Sequence, residues 1–304
     1  MHRRQIMSLA GLGAAGALLA PTRTHAAEPA IQRPAGSFVT AKDGTSLFVR
    51  DWGAGKPVLF LSGWALPSDF WGYQMLALAQ KGYRAIAYDR RGHGRSADPG
   101  RGYDHDTLAG DLASIVAGLK LEDVTIVAHS MGGTEVARYF ARHGGRGISR
   151  VVLVGTITPF LMKSTDNPGG IDPAMLAQGA ALLVRDFPQW IAANTGPFFT
   201  LDTSPAMIAW GQNMMMSTSL LAAAQLAQAN FTTDFRADVH RITVPTLLIH
   251  GDRDASAPLV ITAQATAALL PEATLSIYEG APHGLPLTHV ERLNAELLSW
   301  LAKR

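Results

Sequence analysis

A doubly wound, mostly parallel α/β sheet with a helical cap insertion is the fold class this sequence predicts, and three observations carry it. Six short runs are near-continuously apolar: Val58 to Leu61, Arg84 to Tyr88, Val124 to Ala128, Val151 to Val154, Thr246 to His250 and Thr274 to Tyr278. Strands covered on both faces read this way, because a side chain is buried whichever way it points. Segments of helical periodicity, such as Met131 to Arg142 and Leu259 to Leu270, lie between them, and strand–helix–strand in repetition winds helices onto both faces of a sheet. The alternation breaks once, between about Ile157 and Phe231, in a stretch rich in Ala, Met, Gln and Asn with several prolines.

Taken in chain order, residues 1–26 have the three parts of a secretory signal. Met1 to Gln5 is basic, Leu9 to Ala20 is an apolar run, and Thr24-His25-Ala26 presents small residues for cleavage after Ala26. The run is shorter than the roughly 20 apolar residues of a spanning helix, so no stable membrane insertion is expected. The adjacent Arg3 and Arg4 resemble a twin-arginine signal, and the protein is expected in the periplasm or outside the cell. Residues 27–156 form the first half of the core, 157–231 the cap, and 232–304 the second half. Within the first half, Ser37 to Val49 carries Asp43-Gly44 between apolar runs and predicts an antiparallel hairpin. The cap is expected over the C-terminal edge of the sheet, where such folds bind their ligands.

Composition narrows the function. At 304 residues, 47% of them hydrophobic, the chain is long enough for one large domain with an insertion. Three of its basic residues, Arg3, Arg4 and Arg23, precede Ala27 with no acid among them, and the remainder carries one more acid than base. A near-neutral body makes no electrostatic case for nucleic acid. The absence of cysteine excludes disulfides, thiolate metal sites and a cysteine nucleophile.

The chemistry centres on Ala128-His129-Ser130-Met131-Gly132, where a buried strand turns directly into a helix. Such a sharp turn lifts a serine hydroxyl above the sheet edge, and small residues two before and two after it permit the close approach. At the helix N-terminus the Met131 N–H is placed to stabilise an oxyanion. A serine needs a base, and this architecture orders nucleophile, acid and base along the chain. His283 lies in Gly280-Ala-Pro-His-Gly284, just after the last strand, and is the expected base. His250 ends a strand and reads as support for its loop, and His289 as surface or packing. His129, beside the nucleophile, reads as pocket lining or structure. The loop His250-Gly-Asp-Arg-Asp254 offers two acids, Asp252 and Asp254. Spacing alone leaves both open; Asp254 is preferred, with Asp252 bracing the turn. The second oxyanion donor is expected from the Trp64 N–H in Leu61-Ser62-Gly63-Trp64-Ala65, after the first central strand.

Together these residues resemble the cofactor-free haloperoxidase and aryl-esterase branch of the α/β-hydrolase fold. The likeness covers Gly63-Trp64, the run from Gly82-Tyr83 to Asp89-Arg-Arg-Gly-His-Gly-Arg-Ser96, the serine turn, Asn167-Pro-Gly-Gly170, Gly196-Pro-Phe-Phe199, Thr233-Asp234-Phe235, His250-Gly-Asp252 and Gly280 to Leu285. It implies carboxylesterase activity on small esters without metal or cofactor, Asp254 as the acid, and, in many members, peracid formation from a carboxylic acid and hydrogen peroxide. Two positions depart from the branch. Ser62 stands where the family has His, which predicts a looser oxyanion loop. Ala65 stands where haloperoxidase-like members have Pro, which favours ester hydrolysis over perhydrolysis. The cap is apolar, with Trp190, Phe198, Phe199 and Met214 to Met216. Trp64, His129, Phe198, Phe199 and Met215 are the candidate contacts for a small hydrophobic ester, and packing between cap and core explains them equally. The reading that follows is a serine hydrolase forming an acyl-enzyme on Ser130. The alternatives are a primary perhydrolase and an inactive exported binding protein.

Overall fold

The computed structural model describes residues 37–303. The expected signal, residues 1–26, lies outside them. β1 (Ser37–Thr40) and β2 (Ser46–Trp52) pair antiparallel as the predicted hairpin, with Gly44 at φ 89° in the turn between them. β2 then pairs antiparallel with β4 (Arg84–Tyr88). Every other neighbour pair is parallel: β3 (Pro57–Leu61), β5 (Val124–His129), β6 (Ile148–Val154), β7 (Thr246–Gly251) and β8 (Thr274–Tyr278) complete a sheet in the order β1-β2-β4-β3-β5-β6-β7-β8. These strands cover the six apolar runs; β3, β5 and β7 each extend one residue beyond theirs, and β6 begins three residues earlier, at Ile148.

Alternation along each strand feeds two cores. Leu59, Leu61, Ile126 and Ala128 face one layer, with α2 (His105–Gly118) and α3 (Met131–His143) packed over it. Val58, Phe60 and Val127 face the other, covered by α1 (Gly72–Gln80) and the C-terminal helix. Successive strand side chains point to opposite faces, so a near-continuous apolar run supplies both layers at once.

Between β6 and β7 the chain forms α4 (Pro173–Arg185), α5 (Phe187–Thr195), α6 (Pro205–Met216), α7 (Leu220–Thr232) and the short α8 (Arg236–Val239). Asp172, Asp186 and Ser204 cap the first three by accepting N–H bonds from Ala174, Gln189 and Met207, and each of these helices has Pro at its first turn. Among the described residues, the β pairing within this stretch is confined to the bridges Met162–Ile171 and Ser164–Asn167. Ala222 and Leu226 of α7 pack with Leu108, Met131 and Ile157, which seats this insertion against the start of α3. The predicted helix from Leu259 opens as a π turn, Val260–Gln264, before α9 (Ala265–Leu269). α10 (Leu285–Thr288) and α11 (Val290–Ala302) close the chain. No helix among the described residues is long and apolar enough to cross a membrane.

Candidate active site

Ser130 sits between β5 and α3 with φ 54° and ψ −119°, a conformation side chains rarely adopt. The surroundings hold it there. The Ser130 N–H donates to Val154 O at 2.9 Å, and its carbonyl accepts from Gly133 N at 3.0 Å. A Cβ at Gly132 would lie 2.8 Å from Leu61 O, so glycine two residues after the serine lets α3 start against the end of β3.

His283, from the loop after β8, brings Nε2 to 3.0 Å from Ser130 Oγ, and its Nδ1 donates to Asp254 Oδ2 at 2.6 Å. All three residues are buried. Asp254 is fixed from behind: Oδ1 accepts the N–H groups of Ser256 at 3.0 Å and Ala257 at 2.7 Å. His250 donates its Nε2–H to Ala257 O at 2.7 Å, closing the same loop, so it acts as the expected support. Asp252 takes a different place, accepting Gly280 N at 2.7 Å and tying the β7 loop to the β8 loop. His289 bonds Thr288 and packs near Tyr278, away from the serine.

His129 lies under this group. Its Nε2 bonds a carbonyl, His283 O, at 3.0 Å, so that nitrogen carries the proton. Its ring is enclosed by Phe70, Trp71, Phe198 and His283. Burial, followed by the neighbouring His283, holds its pKa well below the ordinary histidine value. A ring held there stays neutral. The geometry gives it a bracing role: its Nε2–H is engaged with His283 O, while Nδ1 is buried against Gly63 with no protein partner among the described residues.

The Ser62–Ala65 loop, the expected oxyanion loop, packs directly on Ser130. A Cβ at Gly63 would lie 2.6 Å from His129 Nδ1 and 3.2 Å from Ser130 Cβ. Among the described residues, neither Trp64 N–H nor Met131 N–H donates to a protein acceptor. At Ser62, where a looser loop is expected, both the side chain and the main chain are hydrogen-bonded. Its hydroxyl donates to Pro67 O at 3.0 Å, and Arg90 donates to the carbonyls of both Ser62 and Gly63. Ala65 has φ 56° in a turn closed by Leu66 N to Gly63 O at 3.3 Å, which is a backbone setting outside the proline range.

The remaining candidate contacts divide. Phe198 packs 5.7 Å from the His283 ring and 5.0 Å from Phe199, both rings buried, and Phe198 O accepts Gly284 N at 2.9 Å. Trp64 is partly exposed; its indole donates to Ala223 O at 2.9 Å, and its ring meets Trp190 at 4.8 Å and Phe187 at 6.2 Å. Met215 packs against the second core with Met214. The sequence reading missed Arg90 and its partner Glu135. The available signal was an acid at position 135, one helical turn after Met131 on the buried face of α3, which demands a buried cation. Among the described residues, no cluster of three or more His, Asp or Glu is arranged to hold a metal ion.

Such an arrangement can activate a serine hydroxyl through a base oriented by a carboxylate, beside two N–H groups free to bind a developing oxyanion. Comparison with known proteins agrees in kind. Residues 56–290 match the family described as the alpha/beta hydrolase fold. A non-heme haloperoxidase of Rhodococcus erythropolis is 42% identical over 87% of this chain and 98% of its own length. A bifunctional esterase/perhydrolase of Acinetobacter calcoaceticus is 35% identical over 87% of this chain and 99% of its own. The crystal structure of a bromoperoxidase from Bacillus anthracis superposes with a TM-score of 0.85 at 35% identity, covering 88% of this chain and all of that one. The chain therefore belongs to the α/β-hydrolase family of enzymes, in the branch of the non-haem haloperoxidases and their esterase relatives.

Proposed function

We propose that this enzyme cleaves small carboxylic esters by acyl transfer through Ser130, with His283 as base and Asp254 as the acid that orients it. The observation that carries the reading is the hydrogen-bond chain of 3.0 Å and 2.6 Å joining the three side chains. Ser130 Oγ attacks the ester carbonyl as His283 Nε2 takes its proton. Asp254 holds the imidazole in the Nδ1–H tautomer and stabilises the imidazolium that forms. The N–H groups of Trp64 and Met131 receive the oxyanion. His283 then protonates the leaving alcohol, and water, deprotonated by His283, attacks the acyl-enzyme to release the acid and restore Ser130.

The test is hydrolysis of p-nitrophenyl acetate by the wild type beside Ser130→Ala. Activity lost in the variant is the expected outcome; equal activity in both, or none in a folded wild type, removes the reading and favours a binding protein that has kept only the pocket. A second reading, hydrogen peroxide in place of water, draws on the relatives named for haloperoxidase and perhydrolase activity. It is measured as the ratio of peracid formed to ester hydrolysed. Residues 1–26 complete the proposal as an export signal, which fractionation and the mass of a chain beginning at Ala27 test directly.

A further inference from the structure

Arg90 follows β4 and lies almost wholly buried beside the oxyanion loop, and each arm of its guanidinium is engaged. Nη1 donates to Gly63 O at 2.9 Å, Nη2 to Ser62 O, and Nε to Glu135 Oε1. Glu135 is fully buried on α3, and its second oxygen accepts the Tyr88 hydroxyl at 3.0 Å. One ion pair therefore joins the loop that carries the Trp64 N–H to the helix that begins with the Met131 N–H.

We infer that Arg90 is a positioning residue for the oxyanion hole, acting through the Gly63–Trp64 peptide; the inference rests on the esterase reading above. In a trans peptide the C=O and the following N–H point in opposite directions within one plane. Holding Gly63 O on the guanidinium side turns the Trp64 N–H to the other side, where Gly63 lies against Ser130. Holding Ser62 O as well fixes the preceding peptide, so the loop cannot rotate about a single contact. Glu135 anchors the guanidinium to α3, so the two N–H donors keep a common frame. Ser62 in place of the family's His is thereby accommodated: the loop is tied through its main chain, whatever side chain stands there. Lysine cannot replace this fork, since a single ammonium does not span three acceptors in a plane.

Wild type, Arg90→Lys and the neutral pair Arg90→Gln/Glu135→Gln test it. The double variant leaves no uncompensated ion inside, so it stays informative if Arg90→Lys does not fold. Exhaustive trapping with a p-nitrophenyl phosphonate counts competent sites. Then kcat and KM for p-nitrophenyl acetate are taken per trapped site, with Ki for an aryl trifluoromethyl ketone, whose hemiketal oxyanion occupies the same hole. The expected result is a kcat per site lower by about 10²-fold, KM within about threefold, and Ki weaker by the same factor as kcat/KM. A kcat per site and Ki within about threefold of wild type, even with fewer sites trapped, shows a merely structural role and overturns the inference while the esterase reading stands. A folded wild type that the phosphonate does not trap defeats the esterase reading, and the inference with it.

Discussion

His129 donates its Nε2–H to the main-chain carbonyl of His283 at 3.0 Å with the two rings 4.6 Å apart, so the residue before Ser130 holds the loop of His283. His129→Phe keeps a ring in the enclosed site and removes the donor, leaving a buried carbonyl unpaired. Such a loss costs about 1–3 kcal/mol. The expected outcome is lower stability in guanidinium and a lower kcat, while His129→Gln, which retains an N–H, recovers part of both. Equal behaviour of Phe and wild type would remove the bracing role.

The same burial that keeps His129 neutral acts elsewhere. Burial and Arg90 hold His93 at about 3, and burial and Arg138 hold His105 at about 4. The unfolded chain takes up a proton at each of these near pH 6.5 and the folded chain does not, so their contribution to stability is complete above that pH and is lost as pH falls. Burial raises the carboxyl pKa of Glu135 and Asp111, and these act in the opposite sense. The prediction is therefore a difference. Between pH 6 and 4.5, His93→Asn should have a stability-versus-pH slope shallower than wild type by about 1.4 kcal/mol per pH unit. Denaturant titrations at four pH values measure it, and parallel slopes would contradict it.

Ala65 occupies a left-handed position, φ 56°, at the turn next to the oxyanion donor. Proline holds φ near −65° and cannot take this setting, so Ala65→Pro must move the turn closed by Leu66 N to Gly63 O. Ala65→Gly adopts it without strain. The expected outcome is a kcat/KM for ester hydrolysis within about threefold of wild type for Gly. For Pro, a lower melting temperature and a higher ratio of peracid to acid product are expected, in line with the haloperoxidase-like members that carry proline there. An unchanged ratio in the proline variant would detach the turn from the choice of nucleophile.

Six strands were readable because parallel strands buried on both faces leave a near-continuous apolar run, as Val58 to Leu61 shows. Ser130 stood out by the strand-to-helix turn around it and His283 by its loop after the last strand, whereas spacing left Asp252 and Asp254 both open. The cap resisted. α4 to α7 bury only parts of their apolar surface and leave Met175, Val184, Trp210 and Leu220 exposed, so their pattern does not mark a single inner face. The Arg90–Glu135 pair resisted for another reason: its partners lie 45 positions apart, and only the packing of β4 beside β3 and of α3 behind them brings a guanidinium onto the oxyanion loop. Ser62 is an example: a side-chain comparison shows neither its hydroxyl bond to Pro67 O nor the guanidinium on its carbonyl.

Trp64 reaches out of the site to the cap, donating to Ala223 O and meeting the Trp190 ring edge-on at 4.8 Å. Aromatic pairs of this kind contribute about 0.5–1.5 kcal/mol beyond burial. Trp190→Ala should therefore lower kcat/KM for p-nitrophenyl acetate by about 2–10-fold. Trp210→Ala is the control: that ring meets Tyr73 at 6.2 Å and is partly exposed on α6. Equal losses in both variants would mean that the cap acts through its overall stability and not through the Trp64 contact.

Asp252 and Asp254 stand two residues apart and do different work. Asp254 meets His283 Nδ1 at 2.6 Å, whereas Asp252 accepts Gly280 N at 2.7 Å and stitches two loops together. Replacing a triad carboxylate by its amide presents the wrong tautomer to the base and lowers kcat by about 10⁴ elsewhere. Asp254→Asn should show a loss of that order with melting temperature close to wild type, because the Asn carbonyl can still accept from Ser256 and Ala257. Asp252→Asn keeps an acceptor for Gly280 and should retain kcat within about tenfold. The two variants, assayed side by side, separate orientation of the base from support of its loop. A large kcat loss in Asp252→Asn with none in Asp254→Asn would reassign the acid.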